Sequence, residues 1–334
     1  MAAQNPVVGP SPLDRRIIAA LQVDGRASWA KIAATLGEPE RTVARRGPEL
    51  LRQGRVRIRA LSNPRRFRHT EQFVLKATCT PGTAGIAASA LARRPDTLYT
   101  FLLTGSADCA AEMSSPVSTF SDLLIRDIGS LPGVSSASTY PVLNYFRTMH
   151  QWDPGVLTPD EVAALGGDAY VQAPTDLGQA PQLGKEDRQI LRTLERDGRV
   201  SFEELSRVTG LSVQTAQRRV EKLRSEGSLY IRAVFEPALL GLPVEVLLWV
   251  KVPFPDLDHV GAELTHDPSV RYAAVLAGDF QLLIDAVFPS RAALYDYLKS
   301  APWVKYTQSI EPAVVIDALK RSGTLALSFG QEAE

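Results

Sequence analysis

The chain has 334 residues, 45% of them hydrophobic and 22% charged, and its 37 Lys+Arg balance 37 Asp+Glu for a formal net charge of +0. That length exceeds one ordinary core and points to two or more domains, while the neutral balance excludes a globally basic nucleic-acid binder, so any such affinity must come from local clusters. Two cysteines, Cys79 and Cys109, are too few for a disulfide scaffold or a thiolate metal site, no apolar run reaches membrane-spanning length, and the opening MAAQNPVVGPSP has no signal-peptide layout. A cytoplasmic protein is expected, with free thiols and a disordered leader over residues 1–12.

Leu13, Ile17, Ile18 and Leu21 recur at helical spacing and predict a first helix that ends at Asp24-Gly25-Arg26. Ser28 is placed to cap a second helix with Trp29, Ile32, Ala33 and Leu36 facing inward, and Gly37 breaks it. A third helix begins near Pro39 with the inward stripe Val43, Gly47, Leu50. Pro48 follows the glycine. A proline costs about 3 kcal/mol and a glycine about 1 kcal/mol inside a helix, so a kink or break is expected over residues 44–48. Arg55 to Ala60 alternates and reads as a wing strand.

The period then changes. Phe73–Thr80, Thr97–Thr104, Ala107–Met113 and Ser135–Phe146 read as strands, with helices over Thr83–Arg94 and Thr119–Ser130. The order is βαββαβ, a ferredoxin-like split βαβ. Residues 150–184 are rich in Pro, Gly, Gln and Asp and read as a linker, with one or two capped helical turns after Thr158-Pro159.

The chain then repeats itself. Residues 186–233 align with 13–60 without a gap at an offset of about 173, with about 17 of 48 positions identical. A second βαββαβ follows: Val244–Val252, Leu257–His266, Val270–Ala277, Phe280–Val287, Arg291–Ser300 and Lys305–Ile316. The predicted fold is α+β, with two winged helix-turn-helix domains and two ferredoxin-like βαββαβ domains in tandem. The expected domains are 13–68, 69–149, 185–236 and 237–321, with a tail over 322–334.

The charge is local. Residues 13–60 carry about +6 net and residues 186–233 about +2. In the second copy Ala216, Val220 and Leu223 form the inward stripe of the reading helix. Ser212 caps that helix, and Gln214, Thr215, Gln217 and Arg218 point outward beside Arg219. Glutamine suits adenine edges, and arginine suits guanine edges or phosphates. The first copy offers Arg41, Thr42, Arg45 and Arg46, then Arg55, Arg57 and Arg59 on the wing, where the second has Arg232. The first copy is therefore expected to hold phosphates and the unbroken second helix to read sequence.

Catalytic patterns are scarce. His69, His150, His259 and His266 lack metal-ligand spacing, and no Gly-rich phosphate loop or Gly-x-Ser-x-Gly is present. No cofactor, metal or enzymatic activity is expected.

Asp14-x-x-Ile17-x-x-x-Leu21-x-x-Asp24-Gly25-Arg26 and its twin Asp187-x-x-Ile190-x-x-x-Leu194-x-x-Asp197-Gly198-Arg199 are followed by Thr42-x-x-Arg45-Arg46 and Thr215-x-x-Arg218-Arg219, then by Gly105-x-x-Asp108 and Leu131-Pro132-Gly133-Val134. In this order the chain resembles the Lrp/AsnC family of transcription regulators, in a fused two-unit form met in actinobacteria. The resemblance implies double-stranded DNA as partner, a small-molecule effector such as an amino acid, and homo-oligomers formed by pairing βαββαβ domains, within one chain or between chains. It places the effector beside Gly105, Ser106 and Asp108 and beside Gly278, Asp279 and Gln281, two sites made unequal by Asp108 against Gln281. Sirohaem decarboxylases are similar in layout and give the alternative reading, with Arg68-His69 and Asn144-Tyr145-x-Arg147-x-x-His150 as a loose echo of a haem-propionate cluster.

Overall fold

The computed structural model describes residues 9–62, 70–166 and 183–326. The chain is a mixed α/β protein that forms two compact units, each assembled from two separated stretches: Met1–Arg66 with Asp153–Leu242, and Phe67–Trp152 with Pro243–Glu334. Like elements associate with like. Among the described residues no helix is long and apolar enough to cross a membrane.

The first unit holds two copies of one module. Helices α1 (Pro12–Val23), α2 (Trp29–Leu36) and α3 (Glu40–Arg52) lead into strand β1 (Val56–Ser62). The second copy begins 173 residues later and ends in strand β6 (Leu229–Phe235). Its helices are α7 (Lys185–Arg196), α8 (Phe202–Thr209) and α9 (Val213–Ser225). The caps follow the sequence: Ser28 and Ser212 accept from the amides of Lys31 and Thr215, and Gly37 and Gly210 close the second helices in the left-handed region. The linker contributes α6 (Pro159–Ala164), opened by the Thr158/Glu161 capping box. It is tied to the first module by Arg16 to Glu161 at 2.5 Å and by Lys31 Nζ donating to the Leu165 carbonyl at 3.1 Å.

The two modules face each other. Strands β1 and β6 pair antiparallel from Val56↔Phe235 to Ser62↔Leu229, so each strand read as a wing is zipped to its twin. The Asp-Gly-Arg turns complete the junction reciprocally. The Gly25 amide donates to the Ile231 carbonyl and the Gly198 amide to the Ile58 carbonyl, both at 2.8 Å. Arg26 Nη1 donates to the carbonyls of Gly198 and Val200 at 2.9 and 3.0 Å. Arg199 donates to Gly25 at 2.8 Å and also to Ala27. Each guanidinium also stacks on the opposite module, Arg26 on Phe202 at 4.5 Å and Arg199 on Trp29 at 4.3 Å. Glycine is required at both turns: a Cβ on Gly25 would lie 2.7 Å from Ile58 Cγ2, and one on Gly198 would lie 2.8 Å from the same atom.

The expected break in α3 does not occur, and the helix runs unbroken from Glu40 to Arg52 with Pro48 inside it. Packing explains why. A Cβ at Gly47 would fall 2.2 Å from Trp29 Cζ3, so the missing side chain makes room for the indole. In the second module the same two places hold Phe202 and Val220, a smaller ring against a larger partner.

The second unit holds the two βαββαβ halves. The first has β2 (Thr70–Cys79), α4 (Ala84–Arg93), β3 (Thr97–Leu103), β4 (Cys109–Pro116) and β5 (Val134–Arg147). The helix expected over Thr119–Ser130 is short turns of 3-10, α (α5, Phe120–Asp122) and π character. The second half has β7 (Val244–Lys251), α10 (Leu257–His266), β8 (Val270–Leu276), β9 (Leu282–Phe288), α11 (Arg291–Ser300) and β10 (Ser309–Arg321), trailed by β11 (Thr324–Leu325). The last long strand begins later than its alternation suggested, because Pro302–Tyr306 forms a 3-10 turn.

Strands β5 and β10 each serve both halves. Residues Phe73–Cys79 of β2 pair with the first part of β5, whose later residues Val142–Arg147 cross to β8. Likewise β10 pairs through Ser309–Val314 with β7 and through Val315–Lys320 with β3. The ladder closes as β10-β3-β4-β2-β5-β8-β9-β7-β10, an antiparallel eight-stranded barrel without a free edge. Each half covers its outer face with helices over its own core, Phe73, Leu75 and Leu91 in one and Val246, Leu248 and Trp303 in the other. A third cluster inside draws Val74, Phe101, Leu247, Trp249 and Leu283 from both halves.

Gly47→Val is expected to destabilise the protein by about 1–3 kcal/mol, as overpacking of a filled core does. Adding Trp29→Phe, which recreates the Phe202/Val220 pair, should recover most of that loss. Urea denaturation of the two variants checks it, and equal losses would show that the indole does not set the glycine.

Candidate nucleic-acid interface and effector hairpins

The outward faces of α3 and α9 carry the residues singled out for DNA. Arg41 and Arg45 on α3, and Gln214 and Arg218 on α9, are exposed. No ion pair or side-chain hydrogen bond holds any of the four among the described residues. Gln217 is exposed and its amide donates to Glu221 at 2.9 Å; Thr42 and Thr215 are half-buried. Ser212 spends its hydroxyl on capping α9, whereas α3 starts after Pro39 with no side-chain cap.

Other predicted contacts are turned inward. Arg46 donates to Asp14 at 2.8 and 2.6 Å and to Ser11 at 2.7 Å, and its twin Arg219 meets Asp187 at 2.8 Å. These pairs pin each third helix to the start of its first. Burial alone would raise the Asp14 carboxyl, but the Arg46 guanidinium and the Ser11 amide hold it below the ordinary carboxylate range. Arg232 is 3% exposed; it bonds the Gln22 carbonyl and so braces the β1–β6 sheet from within. Arg59 lies opposite Arg232 in that sheet and bonds the Ile58 carbonyl at 3.1 Å. Arg57 is half-buried on the same strand, and Arg55 is half-buried just before it.

In the barrel unit the predicted effector residues sit at two hairpin tips. Gly105 and Gly278 have φ values of 102° and 137°, a conformation that requires glycine. Asp108 accepts from the Cys79 amide at 2.6 Å, and Gln281 accepts from the twin amide, Val252, at 3.3 Å. The two unlike side chains thus do one structural job, tying a hairpin tip to the end of a neighbouring strand. Ser106 bonds Glu311, which also meets Lys76 at 2.7 Å; Lys76 lies over Trp249 and Phe280 at 4.9 and 4.8 Å. Asp279 is exposed beside them.

The chain also hides a polar cluster inside the barrel that sequence reasoning missed. Glu245 is held by Arg321 and by Arg271 at 2.6 Å, and Arg271 reaches Asp285 at 3.3 Å. Glu112 occupies the position equivalent to Asp285 in the first half. Its carboxyl lies 2.5 Å from the Tyr145 hydroxyl, which also meets Gln72. A single phenol proton serves one of these two acceptors, and the other bond is made by a proton on Glu112 or by the Gln72 amide turned to donate. Burial pushes the Glu112 carboxyl up to about 7, and burial with the neighbouring Glu245 pushes Asp285 up as well. The available signal was a carboxylate at twin places in two apolar strands, Ala110-Ala111-Glu112 and Leu283-Ile284-Asp285.

Of the residues behind the haem reading, Tyr145 is buried in this cluster, Arg147 donates to the Asp267 carbonyl, and His150 is buried against Thr148 at 2.7 Å. Asn144 is exposed, and Arg68 and His69 lie outside the described residues.

An AsnC-type helix-turn-helix domain matches residues 12–47 and 185–224. An uncharacterised HTH-type transcriptional regulator of Pyrococcus furiosus is 30% identical over 129 residues, covering 38% of this chain and 87% of the relative. The leucine-responsive regulatory protein of Salmonella typhimurium is 28% identical over 155 residues, 43% of this chain and 92% of that protein. Among solved structures, the siroheme decarboxylase NirDL covers 96% of this chain and 97% of its own with a TM-score of 0.59 at 12% identity, a likeness of fold alone.

The Glu112 geometry fixes the sign of a pH dependence. Its carboxyl binds a proton in the folded state up to about pH 7 but in the unfolded chain only to about pH 4.5. The folded state therefore holds more protons in between, and this group's contribution to stability is full below pH 4.5 and lost as pH rises toward 7. Glu112→Gln should remove that slope, at most about 1.4 kcal/mol per pH unit, and be the more stable protein at pH 8. Denaturation midpoints of both proteins from pH 5 to 8 measure it; parallel curves would mean Glu112 is charged in the fold.

Proposed function

Because the chain belongs to the Lrp/AsnC family of helix-turn-helix transcriptional regulators, we propose that it is a sequence-specific DNA-binding regulator whose activity a small effector modulates. In this reading the helical unit is two winged helix-turn-helix domains and the barrel unit two RAM-type domains in tandem, so one chain corresponds to a pair of single-unit relatives. The observation that carries the reading is the set Arg41, Arg45, Gln214 and Arg218, exposed on two matched third helices and engaged by no internal ion pair or side-chain hydrogen bond among the described residues. In a folded module with a neutral chain around it, unengaged arginines at the start of a recognition helix suit the phosphates and base edges of a major groove.

The proposed contact set is Arg41, Thr42, Arg45, Gln214, Thr215, Gln217 and Arg218, with Arg55 and Arg57 at its margin. Ser212 serves as cap, and Arg46, Arg59, Arg219 and Arg232 act as internal braces. The unbroken α3 removes the reason to restrict the first module to phosphates, and both third helices are proposed as readers. For the effector, an amino acid or related metabolite, the hairpin residues Gly105, Ser106, Asp108, Gly278, Asp279 and Gln281 are proposed as the border of the site. Association of several chains is expected of the family, and growth from a pseudo-symmetric chain would be symmetric.

The haem-enzyme alternative is supported by overall fold alone. A purified protein that shows no Soret band after incubation with haem, yet shifts duplex DNA, would separate the two.

Arg45 and Arg218 occupy equivalent positions. Their joint replacement by alanine is expected to weaken binding to every duplex and to lower the slope of log K against log salt by about 2, one per lost phosphate contact. Anisotropy titrations from 50 to 200 mM salt on DNA flanking the gene test this, and an unchanged slope would show that these helices do not face the backbone.

A further inference from the structure

We propose that one copy of this chain reads a single duplex whose two half-sites are unlike, so that its operator is not a palindrome. The inference rests on the DNA-binding reading above and deepens it by naming the class of duplex.

A symmetric dimer reads a palindrome because identical side chains meet each half-site. This chain holds its two modules together as a symmetric dimer would, through reciprocal contacts. The register β1–β6, the Gly25 and Gly198 amides, and the Arg26 and Arg199 guanidiniums each recur in both directions. An additional pair, Arg224 to Asp24 at 2.8 Å, joins the modules in one direction, because Leu51 stands at the twin place of Arg224. The two third helices are thus fixed to each other within one chain, and no second copy is needed to supply the partner helix.

What the helices present differs. At the first exposed place α3 has Glu40 and α9 has Val213. At the next they have Arg41 and Gln214, and one turn on, Ala44 and Gln217. Thr42 and Thr215, and Arg45 and Arg218, are alike. The like pair of arginines suits contacts made equally to any sequence. The unlike pairs carry different base chemistry. Arginine donates two hydrogen bonds to guanine, glutamine exchanges two with adenine, glutamate accepts from cytosine, and valine packs on a thymine methyl. Evenly matched half-sites would leave one helix with mismatched groups at three of these five places. Each mismatch weakens binding by about 5- to 150-fold.

The experiment is selection by the full-length chain from a random duplex library, followed by titration of three duplexes: the enriched site and two palindromes built from its left and right halves. The expected result is an enriched site of two dissimilar halves, bound by one chain per duplex in sedimentation, and at least tenfold weaker binding to both palindromes. The double variant Arg41→Gln/Ala44→Gln, changed only at exposed positions, should then select more symmetric sites and bind the palindrome of the α9 half at least tenfold better than the wild type. Selection of a perfect palindrome, or two chains per enriched duplex, overturns the inference while leaving DNA binding in place. Failure to enrich any sequence overturns the DNA-binding reading itself and the inference with it.

Discussion

Two guanidiniums organise the helical unit. Arg26 and Arg199 each leave their own module and donate to backbone carbonyls in the turn of the other. Carbonyls in a turn have no ladder or helix to bond to, and leaving one buried without a donor costs about 1–3 kcal/mol. A charged donor meets that need more strongly than a neutral one. The close approach is possible only because glycines precede both arginines, with no room for a Cβ beside Ile58. Asp24 and Asp197 complete the turns by accepting from the amides of Arg26 and Arg199 at 3.0 and 2.9 Å. The repeated Asp-Gly-Arg is thus a demand that each module makes on its partner, and both copies have kept it.

The barrel obeys a related rule in another material. There the shared element is the strand: β5 and β10 each begin in their own half and finish in the other. The interior that results belongs to neither half. Its polar cluster shows how far the copies have diverged. On the side of the second half, Glu245, Arg271 and Arg321 form ion pairs around Asp285. The equivalent Glu112 has Tyr145 and Gln72 for company. One side sets two guanidiniums against the Glu245 carboxylate, and the other surrounds Glu112 with uncharged partners.

Much of this was legible beforehand. Element types followed from period, the caps from Ser28, Ser212 and Thr158, and the duplication from direct alignment. The break expected at Gly47-Pro48 failed because a local penalty of a few kcal/mol was weighed without Trp29, which fills the space the glycine leaves. The wing strands alternated as strands should, but alternation does not name a partner, and theirs lies 173 residues away along the chain. Arginine composition alone also hid which side chains face outward. For Arg46 and Arg219 the clue was present: each keeps an aspartate, Asp14 or Asp187, at the same distance in both copies. Asp108 and Gln281 differ in charge, yet both side chains perform the same backbone tie, a role that neither residue type announces by itself.

The crossing strands also govern how the protein comes into being. Val142 pairs with Leu276, more than a hundred residues further along, and Leu103 waits for Val315. At ordinary ribosomal speeds the first half would spend on the order of ten seconds with strand edges exposed and no second half to meet. Contacts of such long sequence separation also slow folding, because the loop must close before any pairing rewards it. Two single-unit chains would avoid that wait by meeting only once each is complete. Carrying both halves on one chain gives up that freedom, and gains in exchange a partner that can never be the wrong chain.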